Sequence, residues 1–184
     1  MKDPISDIKV AATYFTVYPP LEVLVTDLGL DLDYRNTLVN EVQKLSKDKS
    51  ESDFIKGKST NFRLYKEPKI FDKFIFAVQD KIGKARYIGE DFFYEMSSLW
   101  GINYTKGDET TRHNHLPSLM SFIYYPKGSS VPLVFDECDF KITPIDDQLI
   151  VFDSILTHSS PPLDSGNKTV ISGTIVVKEN VIED

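Results

Sequence analysis

The sequence predicts a mainly β protein with flanking helices, an antiparallel sandwich or barrel carrying two helices on its outside. Three observations predict it. From Phe92 onward, short runs of β-branched and aromatic residues alternate with Gly, Pro and Asp turns. Two stretches before residue 90 carry apolar residues at i, i+3, i+4 spacing instead. The chain has 184 residues, 41% hydrophobic and 27% charged, which are the proportions of one folded domain and exclude wholesale disorder.

Taken in order, residues 8–17 (Ile8 to Val17) read as a strand ended by Pro19-Pro20, and Leu21–Thr26 as a second, shorter one. Asp33 is the expected N-cap of a helix over about 34–46, with Leu38, Val39, Val42 and Leu45 on one face. The small polar residues 47–53 predict a loop. A second helix is expected over about 68–86, where Ile70, Phe71, Phe74, Ile75 and Val78 form a stripe that reads as core. The predicted strands are then Phe92–Ser97, Leu99–Tyr104, Leu119–Tyr125, Val131–Phe135, Gln148–Phe152 and Thr169–Val177. Trp100 reads as core, and Gly173, inside a strand, as a place of close backbone approach. The chain is expected to form a single domain over 1–184. Residues 1–90 supply strands and supporting helices, and 91–184 the β core.

Charge and cysteine usage narrow the function classes. Lys+Arg number 21 against 28 Asp+Glu, a net charge of −7, which argues against gripping nucleic acid through its phosphates. Cys138 is the single cysteine, so no internal disulfide is possible and CxxC motifs are absent; a reducing, cytoplasmic setting is expected. The charged N-terminus lacks the apolar core of a signal peptide, and no apolar run approaches the roughly 18–20 residues of a membrane span, so no membrane association is expected. Asn103-Tyr104-Thr105 and Asn167-Lys168-Thr169 match glycosylation sequons by chance on this reading.

The chain holds three histidines, His113, His115 and His158, all in the β-rich part. Residues i and i+2 of an extended chain share a face, so His113 and His115 can converge on one point. His158 follows the Gln148–Phe152 strand after a short bend. Two imidazoles from one strand and a third from a later one make a facial metal site with open positions opposite. Scattered surface or core histidines are the competing reading.

The residues around them carry a family resemblance. Residues 100–125 run from Trp-Gly-Ile-Asn-Tyr through Gly-Asp-Glu-Thr-Thr-Arg-His-Asn-His-Leu-Pro to Ser-Phe-Ile-Tyr-Tyr. Pro144, Gln148-Leu-Ile-Val-Phe-Asp-Ser-Ile-Leu-Thr-His158 and Asn167-Lys-Thr-Val-Ile-Ser-Gly follow. This pattern resembles the Fe(II)- and 2-oxoglutarate-dependent oxygenases, most closely a small phage and marine-bacterial branch with H-x-H where most relatives have H-x-D. The likeness covers about 78 residues. It implies a double-stranded β-helix, a jelly-roll or cupin-like barrel, with N-terminal supporting helices. It implies His113, His115 and His158 as catalytic Fe(II) ligands, with His115 where Asp is usual. It places Lys168 where the family pairs a cation with the distal carboxylate of 2-oxoglutarate, with Ser172 on the same face and Tyr104 as a further contact. O2 would be the co-substrate oxidant and hydroxylation of a peptidyl or small-molecule substrate the reaction, in the host cytoplasm if phage-encoded, with a homodimer as a compatible assembly. Asp108, Glu109 and Asp153 are the carboxylates that could replace His115. Arg112 reads as a surface residue rather than a substrate contact, and Asp136-Glu137-Cys138-Asp139 as a turn. Two rival functions remain: a cupin-like three-His metalloprotein that does not use 2-oxoglutarate, and a non-catalytic phage accessory protein.

Overall fold

The computed structural model describes residues 21–47, 50, 52–66, 69–86, 92–137 and 140–179; the strand expected over 8–17 lies outside them. The elements are β1 (Val23–Asp27), α1 (Leu32–Leu45), β2 (Ile55–Lys56), β3 (Lys58–Ser59), α2 (Asp72–Ala85), β4 (Phe92–Tyr104), β5 (Glu109–His113), β6 (Met120–Tyr125), β7 (Leu133–Phe135), β8 (Phe140–Ile142), β9 (Gln148–Asp153), β10 (His158–Ser160) and β11 (Lys168–Glu179). They build two antiparallel sheets, a major one in the order β1-β9-β6-β11-β4-β3 and a minor one in the order β2-β5-β10-β7-β8. This is the mainly β jelly-roll architecture with flanking helices, and segments before residue 90 contribute both edge strands of the major sheet and one edge strand of the minor sheet. No helix among the described residues is long and apolar enough to cross a membrane.

The major sheet is covered on both faces, which explains why β6 (Met-Ser-Phe-Ile-Tyr-Tyr) is buried at every position. Alternation sorts its side chains into two cores. Met120, Phe122 and Tyr124 of β6, Leu149 and Val151 of β9 and Ile171 and Ile175 of β11 meet Leu38 and Val42 of α1 and Phe74, Val78 and Ile82 of α2. Ile123 and Tyr125, Ile150 and Phe152, and Val170 face the minor sheet with Leu133, Phe135 and Leu156. By the same alternation Lys168 and Ser172, two positions either side of Val170, point between the sheets.

Within β4 the alternation changes sides. Ile175 pairs with Met96 and Thr174 with Ser98, so Ser97 is an extra residue, a β-bulge. The hydroxyls of Ser97 and Ser98 both bond Thr174 Oγ1, at 2.8 and 2.5 Å. Before the bulge Tyr94 and Met96 face the helices; after it Leu99 does, while Trp100, Ile102 and Tyr104 face the minor sheet. The two strands read from the sequence on either side of Ser98 are thus one long strand. Gly101 lies under α1, where a Cβ would collide with Val42, and at Gly173 a Cβ would lie 2.6 Å from the Phe122 ring and 2.7 Å from the Ser98 carbonyl oxygen.

The helices differ from the sequence expectation at their starts. Asp31, not Asp33, caps α1, because it holds an extended backbone (ψ 155°) and accepts from Tyr34 N at 2.8 Å. Asp33 instead sits in the first turn, where its charge meets the positive helix end. The second helix opens as a 3-10 turn at Lys69–Phe71 and becomes α-helical at Asp72.

Asp147 joins the layers at the start of β9. It adopts φ 59°, unusual for a residue with a side chain. Its carboxylate accepts from Tyr124 Oη at 2.7 Å, from Gly29 N at 2.8 Å and from Leu30 N at 3.1 Å, tying the β1–α1 loop to β6. Asp147→Ala loses three charge-assisted hydrogen bonds and keeps the left-handed backbone, so urea unfolding should show a loss of about 2–4 kcal/mol. Asp147→Asn, which keeps an acceptor and tolerates that backbone, should lose clearly less.

Candidate metal centre

His113 closes β5 and His158 opens β10, and the two are directly paired across the minor sheet. Opposed residues of antiparallel strands project to the same face, so their rings meet, with centroids 4.4 Å apart. His115 lies past the end of β5 rather than on it. Its backbone N–H donates to Ser154 O at 2.9 Å and its carbonyl accepts from Ser118 N at 3.0 Å, pinning this loop to the β9–β10 turn. Its ring lies 4.8 Å from that of His113 and 5.0 Å from that of His158. One ligand nitrogen from each of the three falls within 4.8 Å of the others. Nitrogens sharing one ion at about 2.1 Å lie no more than about 4.2 Å apart, so a small side-chain rotation closes the widest pair.

The surroundings prepare these rings as ligands. His113 Nδ1 is 2.8 Å from Thr111 O and His158 Nδ1 is 3.1 Å from Leu156 O. A carbonyl can only accept, so Nδ1 carries the hydrogen and Nε2 keeps a free lone pair. Burial, reinforced by the neighbouring imidazoles, pushes His115 and His158 down to about 3, and burial also lowers His113. All three are neutral at physiological pH, the form that binds a metal. Phe54 stacks on His113 with ring centroids 5.2 Å apart and planes 11° apart, and Phe152 packs on His158 at 4.6 Å. The donor set, three neutral imidazoles, suits Fe(II) and its divalent neighbours.

No carboxylate joins this group among the described residues. Asp108 accepts from the backbone and hydroxyl of Thr105, both at 2.8 Å, and Asp153 pairs with Arg86 at 2.9 Å. Glu109 sits opposite Lys56 at the far end of β5 from His113. Arg112, 59% exposed, makes ion pairs with Asp136 and Glu137 at 4.0 and 3.7 Å, as a surface arginine does.

The imidazoles open into a cavity of about 200 Å³ between the sheets. Tyr104, Lys168 and Ser172 line it too, so the six residues singled out from the sequence share one space. Its lining runs from exposed Phe54 and Asn114 to buried Tyr104 and Lys168. Lys168 is 5% exposed; its Nζ donates to Ser160 Oγ at 2.7 Å and lies 4.1 Å from the centre of the Tyr104 ring. The Tyr104 hydroxyl is bonded to Thr110 Oγ1 at 2.6 Å. Burial lowers Lys168 to about 8 and raises Tyr104 to about 12. No Asp or Glu lines the cavity, and Lys168 is its only lysine or arginine among the described residues.

A comparison of sequences finds no matching protein family and no matching curated protein. A comparison of structures does. A viral collagen prolyl hydroxylase from Paramecium bursaria Chlorella virus-1, in complex with 2-oxoglutarate, superposes with a TM-score of 0.63 at 17% identity over 83% of this chain and 94% of that one. A prolyl hydroxylase from Trichoplax adhaerens, in complex with a hypoxia-inducible-factor peptide, gives 0.65 at 15% over 84% and 83%. HygX from Streptomyces hygroscopicus, with nickel and 2-oxoglutarate bound, gives 0.62 at 9% over 84% and 82%. The chain has the fold of the Fe(II)- and 2-oxoglutarate-dependent oxygenases.

Within this oxygenase fold, some cavity residues escape sequence reasoning. Thr110 and Ser160 reach Tyr104 and Lys168 only through strand pairing between β5 and β10. Phe54 comes from a segment with no periodic signal, and Trp100, read as core, is also a cavity wall 5.6 Å from His115. Trp100 is the chain's one tryptophan, so its fluorescence reports on the centre. Co(II) should quench it saturably in the wild type. His158→Ala and His113→Ala should each weaken that binding by at least about 100-fold, since even outer partners of a ligand are worth 10–100-fold. His115→Asp should retain it.

Proposed function

We propose that the protein is an Fe(II)- and 2-oxoglutarate-dependent oxygenase, a hydroxylase acting on a C–H bond of a peptidyl or small-molecule substrate. The observation that carries this reading is Lys168, a buried ammonium in the same cavity as three neutral imidazoles, with a hydroxyl and an aromatic face as its partners and no carboxylate among the described residues. A buried cation without a counter-ion is costly, and an anionic ligand relieves that cost. A 2-oxo diacid has the two ends this cavity asks for: a chelating head for the metal and a remote carboxylate for the lysine. The viral neighbour holding 2-oxoglutarate and HygX holding nickel and 2-oxoglutarate support it.

On this reading His113, His115 and His158 would hold Fe(II), His113 and His158 with the Nε2 that their Nδ1–carbonyl contacts leave free. Lys168 Nζ forms a charge-assisted hydrogen bond to the distal carboxylate, and Ser172, facing the same cavity, adds a hydroxyl donor. Ser160 and the Tyr104 ring aim the ammonium, and Thr110 fixes the Tyr104 hydroxyl. Trp100, Ile102, Val170 and Leu133 keep bulk water out. When bound, the iron supplies the redox chemistry that couples oxidative decarboxylation to succinate and CO2 with oxygen insertion into the substrate. A cupin-like three-His centre working without 2-oxoglutarate would have no use for a cation at Lys168.

Anaerobic Fe(II) with 2-oxoglutarate should give a visible charge-transfer band, and O2 should then release succinate; absence of both rejects the reading. Lys168→Met should weaken 2-oxoglutarate binding about 10–100-fold, the worth of one charged hydrogen bond. Acid–base linkage gives a second test. The folded protein holds Lys168 at about 8, against 10.5 for an ordinary lysine, so between these values the unfolded chain binds more protons. Stability of the ligand-free protein should therefore rise from about pH 8 to about pH 10.5, by up to roughly 3 kcal/mol, and Lys168→Met should lack this slope. Affinity for 2-oxoglutarate should fall over the same rise in pH.

A further inference from the structure

We propose that the outer part of the cavity is a subsite for an uncharged, apolar group of the primary substrate, seated against the ring of Phe54. The inference rests on the oxygenase reading and names the substrate class for that site. Lys168 is at the buried end, so any ligand reaching the imidazoles from solvent passes the exposed end, where the wall has Phe54 and Asn114 exposed and Ser52 and Phe62 half-buried. Every one of these is neutral. A substrate carboxylate, phosphate or ammonium would lose its hydration there with no countercharge, which costs several kcal/mol, whereas an alkyl or ring group gains by burial.

Phe54 is the residue that makes this wall selective. It is 46% exposed, and its inner face is stacked on His113. Its backbone is held firmly: Phe54 O accepts from Thr111 N at 2.9 Å and from Thr111 Oγ1 at 3.3 Å, tying the segment to β5 two residues before His113. The ring therefore stands at a fixed place beside the metal ligand with its remaining surface unpartnered. Phe62 and Trp100, packed on each other at 4.9 Å, continue the aromatic lining inward. Ser52 and Asn114 add neutral polar groups at the rim, suited to amides flanking an apolar side chain rather than to a second charge.

The test uses zinc-loaded full chain with 2-oxoglutarate and four probes: the N-acetyl amides of leucine, phenylalanine, lysine and aspartate. Saturation-transfer NMR reads probe binding, and Trp100 fluorescence reads 2-oxoglutarate binding in the same samples. Leucine and phenylalanine probes should bind, with the lysine and aspartate probes at least about tenfold weaker. Phe54→Ala should weaken the apolar probes about three- to tenfold and Phe54→Tyr should restore them, as an aromatic contact predicts. Equal binding of charged probes, no binding of any probe, or a Phe54→Ala variant with unaltered apolar binding would each overturn the subsite. If apolar probes bind in a Phe54-dependent way but 2-oxoglutarate does not bind, the subsite stands and the oxygenase reading falls.

Discussion

A lysine ammonium buried between two β-sheets needs a reason, and much of this structure is arranged around supplying one. Among the described residues Lys168 has no acidic partner, only Ser160 Oγ and the face of Tyr104. Both partners are themselves fixed by the barrel, Ser160 by strand pairing and Tyr104 through Thr110. The arrangement lowers the cost of the charge without neutralising it, which on the proposed reading leaves the cation to pair with an anionic ligand. Three imidazoles in the same cavity, kept neutral by burial, supply the complementary half. The site is thus bipolar in design, with a cation at its closed end and neutral nitrogen donors nearer solvent.

The comparisons separate two levels of inference. At 9–17% identity the backbone still superposes over more than four-fifths of the chain, which establishes the fold. Fold alone does not fix chemistry. The weight therefore falls on this chain's own residues, and here the second ligand position is informative. On the proposed reading, a metal held by His115 would keep its full double charge, where a carboxylate would reduce it. Of the candidate carboxylates, Asp108 and Asp153 are held elsewhere by Thr105 and Arg86, and Glu109 sits at the far end of β5. A centre of this kind leans more heavily on an anionic co-ligand than one with a carboxylate already in place.

Much of this was legible in the sequence because it rests on pattern. The apolar stripes gave α1 and α2, and the β-branched and aromatic runs gave β6, β9 and β11; that both faces of β6 are buried is seen only in the structure. The spacing of His113 and His115 pointed to one site, although a loop past the end of β5, not strand alternation, brings the second ring in; Lys168 and Ser172 entered through the family likeness. What escaped lacks periodicity: β2 and β3 are two residues each and β10 is three, too short to alternate. Thr110 and Ser160 are ordinary hydroxyl residues until strand pairing sets them beside Tyr104 and Lys168. Asp31 and Asp33 are equally good caps on paper, and only the backbone angle at Asp31 decides between them.

The surplus residue at Ser97 has a consequence for how this barrel tolerates change. It works as a parity switch, since everything beyond it along β4 is assigned to the opposite layer from what strict counting would give. Removing one residue there would rotate the far half of the strand by a half-turn. The indole and phenol that wall the cavity would be driven into the helical layer, and Leu99 would be turned toward the imidazoles. Length variation at this point is therefore not neutral, even though two small hydroxyl residues are all that mark it in the chain.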